Sequence, residues 1–226
     1  MDRTSRSSRA DSATTDAETS LGTTIVGVRT DERVVLASDQ RASLGGMVSS
    51  KSVQKIEPVG DGVALAFTGS VSGAQSLTAE LRQERRLYET RRGKSMSVGA
   101  LATLTGNLMR EQPRRVQHIL GGVDDDGAQL YSFDGGGAAL EHPFVAGGSG
   151  GQTAYGVLEA GYDDDFSLDA AKELASDAIR AATERDLASG NGLCLAVLED
   201  GPVTVETFDG YDSAAESSAG AESSAS

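Results

Sequence analysis

The sequence is short of several things, and each shortage excludes a class of protein. No apolar run in its 226 residues approaches the ~20 that a membrane helix requires. A single cysteine, Cys194, leaves no internal disulfide framework. One cysteine and two separated histidines, His118 and His142, are too few for a structural zinc centre. Positive charge is also scarce. Lys and Arg number 20 against 34 Asp and Glu, a net of −14. That balance argues against non-specific nucleic-acid binding, which needs an excess of cations to neutralise phosphate. Lysine is the scarcest cation, present only at Lys51, Lys55, Lys94 and Lys172. A surface rich in Asp and poor in Lys suits work at high salt, where screening removes the self-repulsion of the carboxylates.

The ends lack what the middle has. Residues 1–21, MDRTSRSSRADSATTDAETSL, carry no periodic apolar face and no apolar core of a secretory signal. They read as a disordered extension or a removable pro-segment. Residues 212–226, DSAAESSAGAESSAS, read as a disordered acidic tail. The ordered body is therefore about residues 22–211, the size of one ordinary domain. Its hydrophobic share, 38% over the whole chain, suffices for a core with little to spare.

Within the body the apolar period changes twice. Strands are expected at 24–28, 33–37, 53–58 and 62–68, where β-branched residues cluster. Residues 71–92 then carry Val71, Ala74, Leu77, Leu81 and Tyr88 at helical spacing, and 97–111 form a second helix, with Gly93 and Pro113 as punctuation. Strands return at 116–120, 128–133 and 138–145. Helices follow at 151–161 and 168–187, the latter with Ser167 as N-cap, and strands close the body at 193–199 and 203–208. Two sets of strands and two helix pairs predict an α+β protein with two sheets between helical layers. Charge is uneven along it. Residues 80–115 are mostly basic, whereas residues 116–171 hold no Lys or Arg, which fits either two solvated faces or a subunit contact.

Chemistry concentrates at a few places. In Leu21-Gly22-Thr23-Thr24 a polar segment meets a strand. A cut after Gly22 would give Thr23 a free α-amine beside its own hydroxyl. Such an amine titrates at roughly 7.7–8.0, well placed for a base at neutral pH. One residue would then supply both nucleophile and base. Gly22 would leave the scissile carbonyl unobstructed, so the cut could be made by Thr23 itself. Asp39 and Arg41 follow the second strand, and Lys55 lies among apolar strand residues in Ser52-Val53-Gln54-Lys55-Ile56. An ammonium near Thr23 would depress its hydroxyl pKa, with Asp39 holding the lysine; an ordinary surface salt bridge is the alternative.

These residues, with three further motifs, resemble the archaeal-type proteasome β-subunits of the N-terminal-nucleophile hydrolases. The motifs are Gly22-Thr23-Thr24, Asp39 with Arg41, Lys55, Thr68-Gly69-Ser70, Gly148-Ser149-Gly150 with Tyr155-Gly156-Val157-Leu158-Glu159, and Arg185-Asp186-Leu187-Ala188-Ser189-Gly190. They keep the family's order and spacing over nearly the whole body. The resemblance implies a four-layer αββα sandwich of two antiparallel sheets between helix pairs. It implies a threonine endopeptidase, free of cofactor and metal, that loses residues 1–22 by its own cleavage and leaves 23–211 as the working domain.

It also implies roles. Thr23 would be the nucleophile, tuned by Lys55, which Asp39 holds. Asp186, Ser189 and Ser149 would surround the freed amine, and the Gly69 N–H would form the oxyanion hole. Phe67 would floor the substrate pocket, Val53 would line a wall, Val71 would flank the substrate backbone, and Ser43 would replace the family's usual Thr that pairs with it. An apolar pocket favours apolar or aromatic side chains before the cut. The implied partners are sibling β-subunits in a seven-membered ring, α-subunit rings, an ATPase feeding chains inward and unfolded protein substrates, all in the cytoplasm, with no nucleic acid or membrane. Two alternatives are a catalytically silent ring subunit and the bacterial two-tier relative, which generally lacks the Arg-Asp-x-x-Ser-Gly motif found at 185–190. Other features read as structural. Asp124–Asp126 and Asp163–Asp165 lack the spacing of a calcium loop. The Gly147–Gly151 run lacks a phosphate-loop ending. His118, His142 and Cys194 have no partner evident in sequence.

Overall fold

The architecture follows from strands that are buried on both faces. The computed structural model describes residues 22–44, 46–112, 116–165 and 167–211. The expected pro-segment other than its last residue, Gly22, as well as Pro113 and the acidic tail, fall outside the described residues. Strand β1 (Thr24–Arg29) is buried at every position but its last, and β2 (Val34–Asp39) at every position. Side chains alternate along a strand, so each must be covered twice. Ile25, Val34 and Leu36 face one apolar cluster, and Val26, Val28, Val35 and Ala37 face another.

The first cluster lies between two sheets. One has the order β10-β1-β2-β11-β12, with β10 (Phe144–Gly148), β11 (Leu193–Leu198) and β12 (Val205–Phe208). The other has the order β5-β6-β7-β8-β9. Its strands are β5 (Ile56–Gly60), β6 (Val63–Gly69), β7 (Val116–Asp124), β8 (Gly127–Phe133) and β9 (Ala139–Glu141). Every pairing within both sheets is antiparallel. Helices α3 (Gly151–Gly161) and α4 (Leu168–Arg185) cover the outer face of the first sheet. Helices α1 (Val71–Arg92) and α2 (Val98–Glu111) cover the second. The result is the expected αββα sandwich. The apolar stripe of α4 is mostly alanine (Ala171, Ala175, Ala178, Ala182), which lets the helix lie close to β1 and β2.

Local chemistry sets the helix ends. Ser70, Ser97 and Ser167 are N-caps whose side chains accept from the N–H three residues on. Gly93 ends α1 in the left-handed conformation, φ 65°, with Arg91 and Arg92 in the last turn where cations complement the helix dipole. The Asp124 carboxylate accepts from the N–H of Val98 at the start of α2 and from Asp126 N–H and Gln129. That Asp run serves as a turn and a cap. Among the described residues no group of three or more His, Cys, Asp or Glu is placed to hold a metal ion.

Several elements differ from the sequence expectation: β5 begins at Ile56, not 53, and β7 runs on to Asp124, not 120. The strand expected at 138–145 is two strands in different sheets. The break falls at His142-Pro143, where Pro143 lacks a donor and its carbonyl takes the Arg29 N–H at 2.8 Å. Helix α4 stops at Arg185, not 187, because Asp186 turns its carboxylate onto the N–H of Ala188. A small hairpin, β3 (Ala42–Leu44) with β4 (Met47–Ser50), was not expected. Its strands are short and β4 is mostly exposed, so no apolar alternation marks it. The Gly45-Gly46 pair between the strands is its one signal.

Candidate active site

Antiparallel pairing brings distant residues to one end of the sandwich. The start of β1 lies beside the end of β2, with Ile25 opposite Ser38, and beside the end of β10, with Thr24 opposite Gly148. The start of β11 joins them, with Leu193 opposite Asp39. Thr23, Asp39 and Lys55 therefore meet, and all three are almost fully buried.

Lys55 uses all three of its ammonium protons. Nζ donates to Asp39 Oδ1 at 2.7 Å, to the Arg41 carbonyl at 2.6 Å, and to Thr23 Oγ1. The Thr23 hydroxyl in turn donates to Asp39 Oδ1. Burial is the largest influence on Lys55 and lowers its pKa, partly offset by the Asp39 charge and hydrogen bond. Asp39 is saturated as well. Its Oδ1 also accepts from Thr24 N–H at 2.9 Å, and Oδ2 accepts from Arg41 N–H at 3.1 Å and Gly190 N–H at 2.8 Å. The pair is thus a buried ion pair with further hydrogen bonds on both partners, the condition under which such a pair is tolerated. The surface salt bridge that the sequence left open is not what forms.

A second polar group lies on the nitrogen side of Thr23. Thr23 N–H donates to Ser149 Oγ at 3.1 Å, and Ser149 Oγ lies 2.5 Å from Asp186 Oδ2. Ser189 Oγ reaches the same carboxylate oxygen at 2.6 Å. Ser149 stands at the start of α3, and Asp186 and Ser189 in the loop after α4. Gly148, at φ 90°, lets that start approach, because a Cβ there would lie 1.9 Å from the Thr23 carbonyl oxygen. The glycine run is a close-packing device between β1 and α3. Gly22 has no space for a side chain either, since a Cβ would fall 2.0 Å from that of Ala188.

Arg41 staples the loop in place. Its Nε donates to Asn191 Oδ1 at 2.8 Å and its Nη1 to the Leu187 carbonyl at 2.9 Å. Gly190 makes room for the guanidinium, which a Cβ would approach to 2.4 Å.

Beside Thr23 is a small, shallow hollow, lined by Ala42, Val53, Phe67, Thr68, Gly69 and Val71 with Thr23 and Lys55. Phe67, Val53 and Val71 all line it. Gly69 has φ 107°, a conformation that favours glycine. Ser43 does not line the hollow. Its hydroxyl donates to the Ala188 carbonyl at 3.2 Å, and its neighbour Ala42 takes the wall. Ala42, Thr24 and Asn191 are members of this neighbourhood that sequence reasoning did not single out. Thr24 alone carried a signal, as a polar residue in a strand buried on both faces. The remaining singled-out residues lie apart from this chemistry. His142 Nε2 pairs with Ser132 Oγ at 2.9 Å, and His118 is buried in β7. Cys194 is buried in the inter-sheet core, where loss of hydration pushes its thiol pKa up.

Comparison with known proteins shows the family. A family model described as "Proteasome subunit" matches residues 19–198. A "Proteasome subunit beta" of Halorubrum lacusprofundi is 53% identical, over 90% of this chain and 84% of the relative. One from Haloferax volcanii is 52% identical over 87% and 82% of the two chains. A "Proteasome subunit beta 2" of Haloarcula marismortui is 47% identical over 85% of each. Residues 19–198 span all four helices, every strand but β12 and every residue of the site, so the chain belongs to the proteasome subunit family.

Proposed function

We propose that this chain is the β-type peptidase subunit of a proteasome, a threonine endopeptidase that activates itself by cutting between Gly22 and Thr23. One observation carries the reading: the Thr23 hydroxyl is shared between Lys55 and Asp39, while its nitrogen donates to Ser149, which in turn donates to Asp186. A structural strand start needs neither arrangement.

In the uncut chain Thr23 Oγ1 attacks the Gly22 carbonyl. The peptide C–N bond breaks, an ester to Thr23 forms, and the nitrogen keeps its proton and gains a second as a free amine. Water then hydrolyses the ester and releases residues 1–22. The freed amine supplies the base for every later cycle. It takes the Thr23 hydroxyl proton as Oγ1 attacks a substrate carbonyl, then returns that proton to the leaving amine, and water resolves the acyl-enzyme. Lys55, as a cation beside Oγ1, stabilises the developing alkoxide. Gly69 N–H stabilises the substrate oxyanion, a donor of a kind whose removal typically costs about 10²–10³ in kcat. The apolar hollow with Phe67 favours apolar or aromatic side chains before the cut.

The family resemblance supports the rest of the proposal: seven β-subunits in a ring, flanking α-rings, an ATPase feeding unfolded chains inward, and work in the cytoplasm. Among the described residues no helix is long and apolar enough to cross a membrane. The test is the intact mass of the assembled protein beside a Thr23→Ala variant. The wild type is expected to lack residues 1–22 and the variant to keep them. A wild type that keeps them within an assembled ring would make the chain a catalytically silent ring subunit.

A further inference from the structure

Thr24 opens β1 and Thr23 is the residue just before it, and their side chains meet different partners. Thr23 faces Lys55. Thr24 is fully buried, and its Oγ1 lies 2.9 Å from Ser189 Oγ. That distance alone does not say which hydroxyl donates, but the neighbours do. A carboxylate only accepts, so Ser189 gives its single proton to Asp186 Oδ2 at 2.6 Å. Thr24 is therefore the donor to Ser189. By the same logic Ser149 gives its proton to Asp186 at 2.5 Å and keeps its lone pairs for the Thr23 nitrogen at 3.1 Å. One carboxylate thus orients every bond in the chain. Thr24 also reaches the other half of the site, through its backbone N–H to Asp39 Oδ1 at 2.9 Å. The fold clears space for its hydroxyl: a Cβ on Gly150 would come within 2.2 Å of Thr24 Oγ1.

We propose that Thr24 is a positioning residue for the peptidase reaction. Its hydroxyl, by donating to Ser189, holds Ser189 against Asp186 and so keeps Asp186 and Ser149 in the arrangement that leaves the freed Thr23 amine a lone pair for base catalysis. The inference rests on the peptidase reading given above. Hydrogen bonds in a chain strengthen one another. Without the Thr24 donor, Ser189 is free to turn away and Asp186 loses part of its solvation by donors. A less satisfied carboxylate favours the protonated amine nearby, so the amine pKa rises.

The experiment compares wild type, Thr24→Val and Thr24→Ser as assembled protein, with intact mass recorded first and kcat then followed against pH on an apolar peptide. Thr24→Val keeps the branched shape and removes the donor. Its acid limb is expected to move up by about half to one pH unit, the size of one hydrogen bond expressed as a pKa. Turnover at pH 7 should fall three- to tenfold with KM within twofold of wild type. Thr24→Ser keeps the hydroxyl and should restore the wild-type profile. An unmoved limb in Thr24→Val overturns the proposal, as does a Thr24→Ser profile shifted like that of Val, which would assign the effect to the lost methyl. Should Thr24→Val not assemble, Thr24→Ala decides in its place, since it removes the same donor without added bulk and should move the acid limb in the same direction. A wild type that is uncut and inactive would sink the peptidase reading itself, a result distinct from either outcome.

Discussion

The two sides of Thr23 are built from different materials. On the hydroxyl side a buried cation and a buried carboxylate face each other, both saturated, on the ends of strands. On the nitrogen side two serine hydroxyls converge on one carboxylate, Ser149 is exposed, and all three groups sit at helix ends and in a loop. The difference teaches where tolerance lies. A buried ion pair that loses one partner strands the other charge in a poor solvent, whereas a hydroxyl lost from an open edge leaves a gap that water can fill. Asp39 joins the sides, because it accepts from Lys55 and also from Gly190 in the loop that carries Ser189.

Substitutions can break this contrast. The largest effect is expected for Lys55→Met, which keeps the length of the side chain and leaves Asp39 unpaired. Loss of one partner of a buried pair costs about 3–5 kcal/mol, so thermal unfolding should shift down strongly. Self-cleavage seen by mass should stop, and any residual peptidase activity should fall more than about a thousandfold. In the wild type the same lysine should set the alkaline limb of kcat. Burial lowers its pKa, so that limb should lie below the ~10.4 of an exposed lysine. Ser149→Ala should be milder. Stability should change by about 1 kcal/mol or less, kcat should drop about tenfold, and the acid limb should move, all measured on processed protein. If Ser149→Ala proved as damaging to folding as Lys55→Met, the contrast between the two sides would not hold. The smallest effect on the chemistry is expected for Phe67→Ala. It enlarges the hollow, so the ranking of peptide substrates should shift toward bulkier side chains while the acid and alkaline limbs stay in place.

What could be read from the chain divides along similar lines. The layers were legible because β1, β2 and β6 are apolar on both faces and α4 has an alanine stripe, signals that survive without knowledge of partners. Lys55 stood out as one of few lysines, set among strand residues. The direction of Ser43 was not legible, because it depends on a loop 145 positions away whose carbonyl it meets. Nor was the place of Thr24, whose partner Ser189 is 165 positions away. The division of 138–145 into two strands needed the knowledge that His142-Pro143 carries the chain from one sheet to the other. Short-range chemistry is written locally, and the rest waits for the sandwich to close.

One consequence follows from the close fit of Gly22 against Ala188. Under the proposed function, the residue before the first scissile bond has no side chain and no space for one, so that bond would be cut without reference to the hollow that Phe67 lines. Later bonds would be chosen by what fits that hollow. Maturation and digestion would then answer to different criteria within a single site, and the walls of the hollow would be free to diverge among subunits without delaying the moment at which each becomes a peptidase.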